Sequence, residues 1–326
     1  MLGKILRSLE RAVFSPESLD PAHVTTLAVA PPILAGLLFF RIPALEMLAM
    51  AVALGGLVHL AARRARWPIP ISPALPAVIG VAMVGPGAPI LFAAAVALVA
   101  ALLELTRARF LGGARLQTGL LAYGGVLLAS RGAVDQYLNP SSLRPLPEPI
   151  RLWLTYGGAP IDSIRLYVGN VPGPVFATSL LAVAVAVAWL WYARRLSLAV
   201  VAGFVVGAVA VSALMHWNVG YQLDSAPAWF VVGLVLADRR ALPALLAARP
   251  LIGLVAGVVA MAVRARGVGI EGAILAVAGI QLAIAIVEGV AWVVVNRRRV
   301  WTGIRSLGSV GIPLNNPLRR ARRTTS

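Results

Sequence analysis

The chain has 326 residues, of which 60% are hydrophobic and 13% charged, with a mean hydropathy of +0.86 and no cysteine. These values exclude an ordinary soluble domain, and the lack of a thiol excludes disulfides, thiolate metal sites and cysteine-ligated iron–sulfur clusters within the chain. The net charge of +17 invites a nucleic-acid reading. Most of that charge sits in short loops beside helix ends, however, where it sets membrane orientation, so no nucleic-acid partner is expected.

Residues 1–23 read as a polar, mixed-charge cytoplasmic segment with no small-residue cleavage site, so a removable signal peptide is not expected. Apolar runs of helix length follow at Val24–Phe40, Ala44–Ala62, Ala74–Val84, Ala88–Thr106 and Leu116–Ser130, a first five-helix repeat over 24–130. A break rich in Pro and Gly, Arg131 to Val175, then predicts a long irregular loop over 131–174, which in such a chain has to cover, bind or dock something. Further runs at Val175–Ala193, Leu196–Leu214, Ala226–Ala237, Leu251–Val263 and Val268–Val295 make a second repeat over 175–295, and 296–326 is a basic tail. The fold class expected is an all-α polytopic membrane protein of about ten transmembrane helices.

Assigning alternate loops to opposite sides tests that reading. Of the 29 Lys and Arg residues, 22 fall on one side and 7 on the other. The asymmetry places both termini in the cytoplasm of a multi-pass plasma-membrane protein and the 131–174 loop outside. Five helices, one long outer connection and five more give halves of opposite topology. The third segment of each half is short: Ala74–Val84 ends at Gly85-Pro86-Gly87, and Ala226–Ala237 ends at Asp238-Arg239-Arg240. Such helices rise about 17 Å against a hydrocarbon core of roughly 30 Å, the pattern of broken helices lining a central site.

Ionisable groups inside a membrane mark function more often than they mark packing. Glu288 reads either as a proton or cation relay or as an acid snorkelling toward Arg297, Arg298 and Arg299; Gln281 lies on nearly the same helical face. Asp238 reads as an ion-paired loop residue or as a site at a broken-helix end. Glu271 is in the first turn of the last helix, where an acid complements the helix dipole. Glu46 and Glu104 are expected to reach the interface. His23, His59 and His216 have no ligand spacing, so no metal site is expected.

From the outer loop onward the chain carries a series of motifs in order. They are Gly157-Gly158-Ala159-Pro160-Ile161, then Leu166-Tyr167-Val168-Gly169-Asn170-Val171-Pro172-Gly173, then Ala177-Thr178-Ser179. Ala237-Asp238-Arg239, Ile270-Glu271-Gly272, Gln281 and Glu288 continue the series. In these the chain resembles the NqrB/RnfD family, membrane proteins of Rnf complexes and of the sodium-pumping NADH:quinone reductase. The resemblance is good from about Tyr156 to Glu288 and weak before. One departure matters most. The family's Ser-Gly-Ala-Thr carries FMN on its Thr through a phosphoester bond, and the aligned position here is Ala159, which has no hydroxyl. Thr155 and Ser163 lie four positions to either side.

The resemblance implies a membrane subunit of an Rnf-like or Nqr-like ion-translocating electron-transport complex rather than a stand-alone enzyme. It implies FMN or riboflavin, non-covalent here, at Gly157, Gly158, Pro160, Asn170 and Thr178, and an ion path that includes Asp238 and Glu288. The partners implied are other subunits of a membrane redox complex, the lipid bilayer and a quinone. The alternative is a secondary transporter or channel of the same inverted-repeat architecture with no redox cofactor.

Overall fold

The computed structural model describes residues 19–67, 72–110, 116–158, 161–240, 242–243 and 245–295. Ala159, Pro160, the first 18 residues and the basic tail lie outside that set. Two compact units are present, 1–283 and 284–326. Every stretch expected to be helical contains a helix.

In the first half α1 (Pro21–Phe40) starts with Pro at its first position, where no N–H is needed, and with Asp20 accepting from Ala22 N at 2.8 Å. A single residue, Arg41 at φ 50°, separates it from α2 (Ile42–Arg64). The third helix, α3 (Ala74–Val81), has eight residues and rises about 12 Å, far short of a span. It is followed by α4 (Ile90–Phe110) and α5 (Thr118–Ala129).

The end of α3 would leave backbone groups unsatisfied in an apolar surrounding, and that is not tolerated. Two stretches of the long connection answer them. Gly85 N donates to Val134 O at 2.8 Å and Gly87 N to Gln136 O at 2.9 Å, while Val175 N donates to Val84 O at 2.9 Å and Phe176 N to Ala82 O at 3.2 Å. Glycine is required at position 85, because a Cβ there would lie 2.9 Å from Gln136 N.

The connection is more regular than its Pro and Gly content suggests. It holds α6 (Pro149–Tyr156), capped by Glu148 and closed by Gly157 at φ 70°, and α7 (Ser163–Val168), capped by Asp162 and closed by Gly169 at φ 98°. The turn residues that looked like loop composition are helix caps. Helix α8 (Leu180–Tyr192) starts five residues later than expected, because Ser179 caps it by accepting from Ala182 N at 3.2 Å and 175–179 is used to cover α3.

The second half continues with α9 (Leu198–Leu214), the short α10 (Val219–Leu223) and α11 (Ala226–Trp229), which runs on as a π-helix over Phe230–Leu236. Helices α12 (Ala248–Arg264) and α13 (Glu271–Val295) complete it. Among the described residues four helices are long and apolar enough to cross a membrane, Pro21–Phe40, Ile42–Arg64, Ile90–Arg109 and Glu271–Val290, and shorter apolar helices accompany them. Apolar residues of both halves, among them Phe40, Met83, Phe176, Phe204 and Phe230, form one buried cluster.

The most extensive helix pair is α9 with α12. Gly203 and Gly207 of α9 face Gly253 and Gly257 of α12, four residues apart on each helix, and each lies where a Cβ would overlap backbone of the other helix. Small residues at this spacing let membrane helices approach at backbone contact. Replacing Gly253 by Leu forces the helices apart. The expected cost is about 1–3 kcal/mol, read as a lower unfolding midpoint in detergent, whereas Gly56→Ala, at an open position, leaves the midpoint unchanged or slightly raised.

Candidate functional site

Residue Glu148 precedes Pro149 at the start of α6. A carboxylate at a helix N-cap satisfies amides that have no partner within the helix. Its oxygens accept from Ile150 N at 2.6 Å and Arg151 N at 2.9 Å, and also from Ile270 N at 3.2 Å, in the connection between α12 and α13. The side chain is fully buried. One carboxylate thereby ties the long connection to the start of the last helix.

Around it gathers a polar cluster. Glu271, 2% exposed, accepts from Arg151 Nη2 at 3.1 Å and from the Tyr137 hydroxyl at 3.2 Å, leaving Oε2 without a partner. Its expected role at the helix start is therefore joined by a specific ion pair. Arg264, 0% exposed at the end of α12, donates through Nη1 to Gln222 O at 3.0 Å and Gln222 Oε1 at 2.9 Å; its Nε and Nη2 have no partner. Asp135 accepts from the Tyr123 hydroxyl at 2.6 Å, and the Tyr221 hydroxyl donates to Pro149 O at 3.3 Å. Gly269 packs so closely that a Cβ there would lie 2.9 Å from Glu271 Oε2.

Two cavities adjoin the cluster. A vestibule of about 360 Å³ is lined by Asp135, Tyr137, Glu148 and Arg151, with Gly87 and Pro147 at its sides. A chamber of about 20 Å³ is lined by Glu148, Pro172, Thr178, Tyr221, Ser225 and Ile270. Glu148 is in both walls.

Burial pushes the Glu148 carboxyl up to about 7, and the charge of Glu271 adds to the rise, against the hydrogen bond from Ile150 and the charges of Arg264 and Arg151. Asp135 is likewise raised to about 7 by burial and then by Glu271. Both folded values lie above the ordinary carboxyl range, so the folded state holds more protons than the unfolded chain between about pH 4 and pH 7. Stability is therefore greatest at the acid end of that window, falls by about 1.4 kcal/mol per pH unit for each group as the pH rises, and levels off above about pH 7. Thermal unfolding in detergent is expected to show this fall, and Glu148→Gln to make it shallower.

The buried guanidinium of Arg264 offsets this negative charge. Arg264→Met is expected to cost about 3–5 kcal/mol, because removing one partner strands the other charges. Combining it with Glu148→Gln recovers part of that loss in a double-mutant cycle.

The residues singled out from sequence fall in separate places. Thr178, 3% exposed, lines the chamber with its hydroxyl unpartnered. Asn170 Oδ1 accepts from the Ser141 hydroxyl at 3.3 Å, near the surface. Gly157 and Gly158 form an exposed turn with open space around them, and Pro160, like Ala159, lies outside the described residues. Asp238 is ion-paired with Arg195 rather than with the adjacent arginines, accepts from Arg240 N at 3.1 Å, and pairs with Leu196 in an isolated β-bridge. Glu288, half-buried, lies in the unit 284–326.

Gln281 is turned into protein, its Oε1 accepting from Gln117 N at 3.2 Å and its Nε2 reaching Val235 O, a carbonyl of the π-helix, at 3.5 Å. Glu104, expected at the interface, is buried, held by Arg107 at 2.5 Å and by the Thr118 hydroxyl at 3.1 Å. The sequence reading missed Asp135, Glu148, Arg151 and Arg264 as a group. The available signal was Glu148-Pro149, an acid before a proline, which marks a capped helix start.

Among the described residues, those singled out for a flavin do not enclose one. The chamber at Thr178 has room for a single water, and the Gly157-Gly158 turn is open.

Helical throughout its longer elements, with a buried polar cluster under its longest connection, the chain has the build of an integral membrane subunit. It belongs to the NQR2, RnfD, RnfE family, whose sequence pattern matches residues 21–289. That family comprises membrane subunits of multi-subunit Rnf- and Nqr-type electron-transport complexes. A search of curated proteins gives no significant match.

Proposed function

We propose that the chain is a membrane subunit of an ion-translocating electron-transport complex of the Rnf or Nqr type, in the plasma membrane with both termini in the cytoplasm. In this reading its two halves are inverted repeats, and the connection between them faces outward. The connection forms one wall of a site for FMN or riboflavin, and a neighbouring subunit supplies the other. The observation that carries the reading is the family match over most of the chain. The surface of the connection supports it: Tyr156 is 75% exposed, Ile164 69% and Tyr167 50%, apolar and aromatic groups of the kind a ring system or a partner would cover.

The bond that anchors the flavin in relatives has no counterpart at Ala159, so a flavin here is held by contacts alone. Asp238, in its ion pair with Arg195, and Glu288 in the last helix are the acids assigned to the ion path, and a quinone is a partner of the complex in this scheme. The test is the absorbance of the purified chain, separated from its partner subunits, before and after acid precipitation. Flavin released into the supernatant is the expected outcome. Flavin retained in the pellet would place a covalent bond on a neighbour such as Thr155 or Ser163, and a complex with all its subunits but no flavin would overturn the redox part of the proposal.

A further inference from the structure

The chamber beside Thr178 poses a problem of unsatisfied groups. Thr178 and Ser225, 3% and 5% exposed, both line it, and neither hydroxyl oxygen has a protein partner. A buried polar group left without a hydrogen bond costs about 1–3 kcal/mol. A volume of about 20 Å³ exceeds the minimum of roughly 10–15 Å³ that a water needs, and a water in such a place takes two to four polar partners. Thr178, Ser225 and Glu148 provide them. On the other side of Glu148 the vestibule of about 360 Å³ is wide enough for several waters. Its wall includes Asp135 and Arg151, and next to it Glu271 Oε2 is also without a partner.

We propose that Glu148 is a proton-relay residue, passing a proton between the vestibule and a water held in the Thr178–Ser225 chamber. In the transfer the O–H bond of the neutral carboxyl breaks and an O–H bond to the chamber water forms, while that water gives up one of its own protons to the carboxylate of Asp224, which also lines the chamber. The Glu148 carboxylate then takes a proton from a hydronium ion in the vestibule water, which is left neutral, and no electrons change hands. The anion formed between these steps is already provided for. Three backbone amides donate to it, and Arg264 of α12 and Arg151 of α6 favour it, while Glu271 of α13 disfavours it. Asp135 and Tyr137 also line the vestibule. Tyr221 of α10 and Asp224, whose charge acts on the Tyr167 hydroxyl, complete the chamber. With the carboxyl balanced at about 7, both protonation states are reached near neutral pH. The relay stands on the cavities and the unpartnered hydroxyls and does not depend on the flavin.

The test uses the full chain in lipid. Dicyclohexylcarbodiimide reacts with protonated carboxyls in apolar sites, and peptide mapping identifies the modified residue. Labelling of Glu148 is expected to fall about tenfold between about pH 6 and pH 8, following the protonated fraction of a group at 7. Labelling that is absent, or flat across that range, would overturn the proposal. A second readout is the carboxyl C=O band in pH-difference infrared spectra, assigned by its loss in Glu148→Gln. The double variant Thr178→Val, Ser225→Ala removes the partners of the chamber water and leaves every amide on Glu148 in place, so the band is expected to shift in frequency. A band unmoved by that variant would contradict the chamber water. If Glu148→Gln does not fold, the labelling of the unaltered chain still decides.

Discussion

One carboxylate holds the functional end of this molecule together. Glu148 accepts from Ile150 and Arg151 at the start of α6 and from Ile270, 122 residues away in sequence. A fully buried acid with three amide donors is strongly oriented, and the groups around it inherit that order. Arg151 is brought to Glu271, Tyr221 to Pro149, and Gly269 against the side chains of both acids. Together with the bonds of Arg151 and Tyr137 to Glu271, Glu148 fixes the connection between the halves to the start of the last helix.

The same economy governs the end of the short α3. Apolar surroundings offer no hydrogen bonds, so a helix that stops among buried apolar residues must have its last carbonyls and the following amides met by other protein. Here Val134 and Gln136 meet the amides of Gly85 and Gly87, and Val175 and Phe176 meet the carbonyls of Val84 and Ala82. The beginning and the end of one connection therefore complete the same helix end. On the other half the π-helix leaves Val235 O within reach of Gln281. A polar side chain on the same face as Glu288 serves backbone groups at two other helices.

The apolar runs read well from sequence, because a span of hydrophobic residues of bilayer length has few alternatives, and even the shortness of α3 followed from Gly85-Pro86-Gly87. The 131–174 segment read poorly. Its Pro and Gly suggested irregularity, yet Pro149 opens a helix and Gly157 and Gly169 close two, a distinction that depends on caps several residues away. The candidate site was hidden for a different reason. Asp135 and Glu148 lie more than a hundred residues before Arg264 and Glu271, and nothing in that separation announces that the two pairs meet. Arg264 and Arg151 counted as orientation signals, which says where a residue sits relative to the bilayer and nothing about whether it is buried. Conversely, Gly157 and Gly158, prominent as motif residues, lie on an exposed turn that this chain alone does not enclose.

Two observations now bear on each other: membership of the NQR2, RnfD, RnfE family over residues 21–289, and a buried acid–arginine cluster beside the long connection. Both make sense for a subunit whose cofactor site is finished by a neighbour. The most direct check is to isolate the tagged full-length chain from native membranes in a mild detergent and resolve it by native electrophoresis with in-gel flavin fluorescence and electron paramagnetic resonance of the excised band. Membership of a working redox complex predicts a large species carrying flavin and iron–sulfur signals contributed by partner subunits. A single small species with neither signal would contradict it.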